Sequence, residues 1–143
     1  MQTYVSHSPA DTRRIAAELA KNIRPGAVIA FRGGLGMGKT AFTRGFVEAM
    51  GSDAEVSSPT FAIVNDYGGD PRLYHFDMYR VETWDDLDST GFYDYMGPDS
   101  ILLIEWSENI ENALPDDAVI VEIARGEGEN DRVITVRYGK DDE

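Results

Sequence analysis

Cysteine is absent from this 143-residue chain. That absence removes disulfides, thiolate metal sites and cysteine nucleophiles together, and it suits a cytoplasmic setting. Only two histidines occur, His7 and His75, so a histidine-rich metal centre is not expected. The sequence has no run of about eighteen apolar residues, which a membrane-spanning helix would need. Its first residues lack the basic-then-apolar order of a secretory leader. Basic side chains are scarce, 13 Lys and Arg against 26 Asp and Glu, for a net charge of −13. A surface of that sign repels free nucleic acid, so strong direct binding to it is not expected. Repeats, linkers and low-complexity blocks are also missing. The length suits a single domain over residues 1–143 with a sizeable core.

The acids cluster at Asp85-Asp86, Asp116-Asp117, residues 127–131 and Asp141-Asp142-Glu143. Three readings stand side by side: a solvated surface, a docking face for a basic partner, and an acidic bias shared across the source organism's proteins.

What is present begins with Gly33-Gly34-Leu35-Gly36-Met37-Gly38-Lys39-Thr40, which fits G-x-x-x-x-G-K-[ST], the phosphate-binding P-loop. Phosphates need many N–H donors converging on one point. Only a chain with little side-chain bulk wraps that closely, and glycine also tolerates the positive φ the wrap demands. Lys39 supplies a positive charge for the β- and γ-phosphates, and the Thr40 hydroxyl can ligate Mg²⁺. The flanks agree with the motif. Ala27 to Phe31 is a short apolar run that predicts a buried parallel strand. Lys39 to Met50 reads as a helix, with Phe42, Phe46, Val47 and Met50 at helical spacing and Gly51 as its stop. Strand, glycine-rich loop and helix together aim a helix N-terminus at an anion.

The remaining elements read as an α/β order. Thr3 to Val5 predicts a short edge strand. Ser8 or Asp11 can cap a helix running to about Asn22, and Pro25-Gly26 ends that unit. Phe61 to Tyr67 and Leu73 to Tyr79, separated by Gly68-Gly69-Asp70-Pro71, predict a β-hairpin. Short helices are expected over Trp84 to Asp88 and Gly91 to Tyr95. Ile101 to Ile104 predicts a second buried parallel strand, and Val119 to Ile123 and Val133 to Arg137 predict two closing strands. The expected fold class is α/β of the P-loop NTPase type: a mostly parallel sheet flanked by helices, with antiparallel hairpin additions.

P-loop enzymes need a metal-side carboxylate at the end of a neighbouring apolar strand. Ile101-Leu102-Leu103-Ile104-Glu105 supplies one where α/β sites lie. Glu105 reaches Mg²⁺ directly or through water; otherwise it is a strand-end surface acid. Trp106 is either core or a wall of the nucleotide pocket. In Leu73 to Arg80, strand alternation predicts that His75, Asp77 and Tyr79 project together. Asp77 could hold Mg²⁺ through water or orient the attacking water, with His75 orienting Asp77; the alternative is a polar exposed hairpin face. Thr60, in Ser57-Ser58-Pro59-Thr60-Phe61, either senses the γ-phosphate or belongs to a strand entry. The chain has no Asn-Lys-x-Asp guanine reader, which points to ATP rather than GTP.

These motifs in this order resemble one family: GGLGMGKT, then SSPTF, YHFDMYR and LLIEW, over nearly the whole chain. The sequence is similar to the small bacterial ATPase of threonylcarbamoyladenosine biosynthesis, the TsaE (YjeE/YdiB) family. The resemblance implies an ATPase that supports t6A formation on tRNA together with a TsaB–TsaD pair, where the transfer chemistry resides on TsaD. It implies Mg²⁺ on Thr40 and Glu105, an essential Asp77, and nucleotide contacts along Gly33 and the run Gly36, Met37, Gly38, Lys39, Thr40 and Ala41. It further implies a switch-like Thr60 and a nucleotide contact within Ser8 to Thr12. The base is expected near Gly128 to Arg132, where the loop is strongly acidic.

The expected catalytic set is Lys39, Asp77 and His75, with Arg44 and Arg80 as candidate charge stabilisers and slow turnover without a partner. Two rivals remain on the sequence alone. A small-molecule kinase would need an acceptor pocket and an Arg-rich lid, and the chain after Glu105 is short and acid-rich. A nucleotide-gated binding module would need ATP binding but not hydrolysis.

Overall fold

The structure is a computed structural model that describes residues 1–33, 38–54, 56 and 64–139. Its strands are β1 (Gln2–Ser6), β2 (Val28–Arg32), β3 (Val64–Gly68), β4 (Arg72–Asp77), β5 (Ser100–Glu105), β6 (Val119–Arg125) and β7 (Arg132–Tyr138). Its helices are α1 (Pro9–Ala20), α2 (Lys39–Ala49), α3 (Trp84–Ser89) and α4 (Phe92–Tyr95), with a 3₁₀ segment over Ser107–Ala113. Among the described residues the strands form one sheet in the order β1-β7-β6-β2-β5-β4-β3.

The four central strands, β6, β2, β5 and β4, run parallel, and β1, β7 and β3 are antiparallel additions. This matches the expected mixed sheet. β5, in the middle of the parallel strands, is buried at every position, which explains why Ile101 to Ile104 reads as a continuous apolar run.

One face of the sheet, carrying Ile29, Phe31, Leu103 and Val121, packs on Ile15 and Leu19 of α1 and on Phe42 and Phe46 of α2. The other face, carrying Val28, Phe76, Leu102 and Ile104, packs on Leu87, Phe92 and Ile110. Burying each such side chain is worth roughly 1.5–3 kcal/mol, so both layers contribute to holding the sheet. Helix α1 starts at Ser8, whose hydroxyl accepts the Asp11 N–H at 3.0 Å, and Pro9 occupies its first turn. Of the two caps the sequence allowed, Ser8 is the one used. Helix α2 lies against α1 at Gly45, where a Cβ would stand 2.3 Å from the Arg13 carbonyl oxygen. Arg13 and Glu48 pair across the same crossing.

Two features differ from the sequence expectations. β4 is not merely a hairpin arm: it pairs antiparallel with β3 and parallel with β5, so it is an interior strand. The strand also stops at Asp77. Alternation therefore does not carry to Tyr79, which lies beyond the strand and is 61% exposed, while His75 is only 2% exposed. The 3₁₀ segment after β5 was not expected. Polar residues there, such as Ser107, Glu108 and Asn109, obscure the two buried anchors Ser107 and Ile110.

Candidate functional site

The C-terminal ends of β2, β4 and β5 meet at one edge of the sheet. Asp77 and Glu105 are register partners on parallel β4 and β5. Side-by-side residues of parallel strands leave the sheet on the same face. Two residues earlier the same row holds His75 and Leu103, and Leu103 packs with Phe42 and Phe46 of α2. Both carboxylates therefore lie on the face that α2 covers. The Met78 N–H donates to the Glu105 carbonyl at 3.0 Å, and the Tyr79 N–H donates to Asp77 Oδ1 at 2.9 Å, so the turn after β4 is tied to both acids.

Helix α2 brings the cation. Lys39 is its first residue and is 7% exposed. The Lys39 Nζ lies 5.4 Å from the centre of the Trp106 ring, a cation–π distance. The start of α2 is electrostatically unlike those of α1 and α3. Both of those helices have a side-chain cap and an acid in the first turn. α2 has neither: its cap position is Gly38, at φ 93°, with no side-chain hydrogen bond. Its first N–H groups and Lys39 thus present uncompensated positive potential at the sheet edge where Glu105 and Asp77 end.

Gly33, at φ 128°, shows why the motif begins with glycine: a Cβ there would stand 2.5 Å from the Ile123 carbonyl oxygen on β6. Thr40 is exposed in the first turn of α2, and Ala41 behind it is half-buried. Gly36, Met37 and Thr60, together with Gly34, Leu35 and the rest of the Ser57 to Phe61 segment, lie outside the described residues. Arg44 and Arg80 are both exposed.

Trp106 follows Glu105 in the left-handed region, at φ 58° and ψ 39°. A bulky residue seldom adopts that conformation. It turns the chain off β5 and sets the indole against Lys39 on one side and the exposed Tyr79 ring, 4.9 Å away, on the other. The half-buried indole packs against the core layer of Phe76 and Ile104 and also lies beside Lys39, so the structure gives it part of both sequence readings, core and pocket wall. The Asn109 side-chain amide donates to the Met78 and Tyr79 carbonyls at 2.8 and 3.2 Å, joining the 3₁₀ segment to the end of β4.

His75 does not stand behind Asp77 as the alternation suggested. Its Nδ1 lies 2.8 Å from the Tyr67 hydroxyl, and its Nε2 lies 2.9 Å from Glu105 Oε2. The second contact is oblique, outside hydrogen-bonding angles. The reason is register: Asp77 is two residues further along the same strand, whereas Glu105 reaches back from the neighbouring one. Tyr67 was missed by the sequence reading. The β3–β4 pairing shifts between Asp66 and Gly68, so Tyr67 is the extra residue of a β-bulge. Bulges re-aim a side chain, and no local pattern in the sequence announces one.

Thr12 also differs from expectation. It is 2% exposed, and its hydroxyl lies 2.7 Å from the Ser6 hydroxyl, which in turn donates to the Ser8 carbonyl. Its oxygen is engaged between β1 and α1 rather than presented outward. The connection just before the expected nucleotide contact of Ser8 to Thr12 is nevertheless joined to the loop expected near the base. His7 Nδ1 contacts Asp131 Oδ1 at 2.8 Å, linking the β1–α1 connection to the β6–β7 loop. Hydrogen bonding to Asp131 raises the His7 pKa above 6.5, and the same bond lowers that of Asp131. Asp11 is lowered by its bond to Arg14 and by the His7 N–H.

The donor set at the sheet edge consists of oxygen atoms: the Glu105 and Asp77 carboxylates and the Thr40 hydroxyl. Hard oxygen donors suit Mg²⁺, which keeps several waters and binds through one or two carboxylates plus substrate phosphates.

Comparison with known proteins gives consistent results. The family model described as threonylcarbamoyl adenosine biosynthesis protein TsaE matches residues 6–134. The tRNA threonylcarbamoyladenosine biosynthesis protein TsaE of Bacillus subtilis (strain 168) is 40% identical over 129 residues, spanning 90% of this chain and 80% of that one. Its counterpart in Treponema pallidum (strain Nichols) is 33% identical over 132 residues, spanning 92% and 97%. The crystal structure of Bacillus subtilis YdiB superposes with a TM-score of 0.72 at 34% identity, covering 94% of this chain and 83% of that one.

Proposed function

This chain belongs to the TsaE family of threonylcarbamoyladenosine biosynthesis proteins, and from that premise we propose that it is a Mg²⁺-dependent ATPase of the P-loop type, a single domain acting in the cytoplasm. Its role is to support t6A formation on tRNA in concert with a TsaB–TsaD pair. One observation carries the reading: Glu105 and Asp77 emerge in register on the face of the sheet where the uncapped N-terminus of α2 places Lys39.

In this proposal the motif's backbone and Lys39 hold the phosphates, and Thr40 and Glu105 hold Mg²⁺. Bound there, the ion neutralises charge developing on the phosphate oxygens. Asp77, at the strand end beside Glu105, accepts a hydrogen bond from the attacking water and orients it. Trp106 and Tyr79 form an apolar wall that limits water beside Lys39. Among the described residues Lys39 is the buried cation, at the start of α2, whereas Arg44 and Arg80 are exposed. Turnover by the chain alone is therefore slow. Charge stabilisation supplied by a partner is worth roughly 10³- to 10⁵-fold in rate where such a group is donated in trans.

The test is phosphate release by the purified chain, alone and with TsaB–TsaD. Slow release that the pair accelerates is expected, with release abolished by Lys39→Ala and by Asp77→Ala. Rapid release that ignores the pair, or wild-type turnover in Lys39→Ala, would refute the proposal.

A further inference from the structure

The buried row behind Glu105 has no place in the reading above. His75 is 2% exposed, and both of its ring nitrogens have an oxygen within 2.9 Å. Burying an imidazole at the end of an apolar core layer is unfavourable unless those nitrogens are matched. On one side the match comes from Tyr67, a residue delivered by a β-bulge, a distortion of the ladder that aims its hydroxyl at Nδ1. On the other side lies Glu105 Oε2. A bare Nε2 would set one lone pair against another across 2.9 Å, so Nε2 carries the proton. Nδ1 is then free to accept from the Tyr67 hydroxyl. Nε2 faces the carboxylate oxygen at 2.9 Å but off the hydrogen-bonding line, so the contact is electrostatic as it stands.

We infer that Tyr67 and His75 form a positioning relay, hydroxyl to Nδ1 and Nε2–H to carboxylate, that holds one oxygen of Glu105 and so presents the other to the divalent cation. The inference rests on the Mg²⁺ role proposed for Glu105 and assigns His75 to that residue rather than to Asp77. Neither Tyr67 nor His75 touches nucleotide or metal. A histidine–carboxylate contact behind a metal ligand fixes the ligand's direction, and losing such a partner commonly weakens the metal about 10- to 100-fold.

Two measurements test it. The first needs no variant: with only two histidines in the chain, ¹⁵N spectra of the imidazoles contain two rings, and His7→Gln assigns the exposed one. His75 protonated at Nε2 is expected; a ring protonated at Nδ1 alone overturns the relay. The second is Mn²⁺ affinity in the presence of ATP, read by electron paramagnetic resonance. Tyr67→Phe and His75→Phe should each weaken Mn²⁺ about tenfold or more while ATP binding without metal is unchanged. His75→Gln, whose amide N–H can replace Nε2–H, should recover much of the loss. Unchanged Mn²⁺ affinity in Tyr67→Phe, with folding checked by thermal unfolding, overturns the relay even if His75→Phe does not fold. If the wild-type chain takes up no Mn²⁺ with ATP, the Mg²⁺ reading itself falls, and the purpose assigned to the relay falls with it, whatever the imidazole spectrum shows.

Discussion

Replacing Gly45 with alanine sets two physical effects against each other, and the structure decides the sign. Gly45 lies within α2, where alanine is ordinarily the better residue by about 1 kcal/mol. On an isolated helix the substitution would therefore stabilise. Here the added Cβ would stand 2.3 Å from the Arg13 carbonyl oxygen, 2.7 Å from its Cα and 2.8 Å from its carbonyl carbon. All three are backbone atoms of α1, so no side chain can swing away. The helices must separate by roughly 1 Å to restore ordinary contact distances near 3.5 Å. That separation loosens Ile15 and Leu19 against Phe42 and Phe46, all buried in one layer. Overpacking of this kind costs typically about 1–3 kcal/mol, and rigid backbone on the far side places this site toward the upper end. After subtracting the helix-propensity gain, a net loss of about 1–2 kcal/mol remains. With a urea slope near the middle of the usual range, about 2 kcal/mol per molar, the denaturation midpoint should fall by about 0.5–1 M. Because α2 also carries Lys39, the apparent KM for ATP should rise in the same variant. A midpoint equal to or above wild type would refute the reasoning, since it would mean that the helices are not in contact at Gly45.

At Trp106, backbone and side chain can be separated. Its φ of 58° strains any residue with a Cβ, so Trp106→Gly should be more stable than Trp106→Ala by roughly 1 kcal/mol in thermal or urea unfolding. Both variants should lose nucleotide affinity to a similar degree, because both delete the ring beside Lys39; equal stability of the two would show that the left-handed turn relaxes without the indole. The His7–Asp131 link should respond to pH. A raised His7 pKa means that the link's contribution is complete below pH 6.5 and is lost as pH rises through the folded-state value above it. A lowered Asp131 pKa means that its contribution is present above the ordinary carboxylate range and is lost only as pH falls below that range. Amide exchange in residues 126–131, corrected for intrinsic base catalysis, should therefore quicken as pH rises above 6.5, and His7→Gln should abolish that dependence. A pH-independent wild-type loop would count against the link.

Much of the fold was legible because the information was local. Apolar runs bounded by Gly and Pro marked β2, β5, β6 and β7, and the pair Ser8 or Asp11 bracketed the start of α1, which the structure places at Ser8. Glu105 could be placed at a strand end because four buried residues precede it. What stayed hidden depended on non-local geometry. The row of His75, Asp77 and Tyr79 assumed a strand running to Tyr79, but β4 ends at Asp77 and the Asn109 amide captures the two carbonyls beyond it. The partner of His75 could not be read either, because it depends on the β4–β5 register and on a bulge that shifts Tyr67 by one position. The nucleotide contact within Ser8 to Thr12 came from the resemblance alone; the burial of Thr12 depends on Ser6 of β1, which the sequence does not show to be adjacent.

The same register explains why the candidate site is sensitive to residues far from it. Side chains alternate along a strand, so a one-residue slip of β4 against β5 would turn Asp77 and His75 to the opposite face and bring Phe76 onto theirs. Glu105 would then lose both its acidic neighbour and its imidazole. The slip is opposed at both ends. At the start of β4 the Arg72 N–H donates to the Asp99 carbonyl at 3.0 Å, and at its end the Met78 N–H donates to the Glu105 carbonyl at 3.0 Å. Between these ends, Leu73 and Phe76 are each fully buried in different layers, so a slip would expose apolar surface on one side and bury polar groups on the other. The pairing of the two carboxylates is thus enforced by the hydrophobic pattern of β4 itself: the residues that fold the strand are the ones that aim the acids.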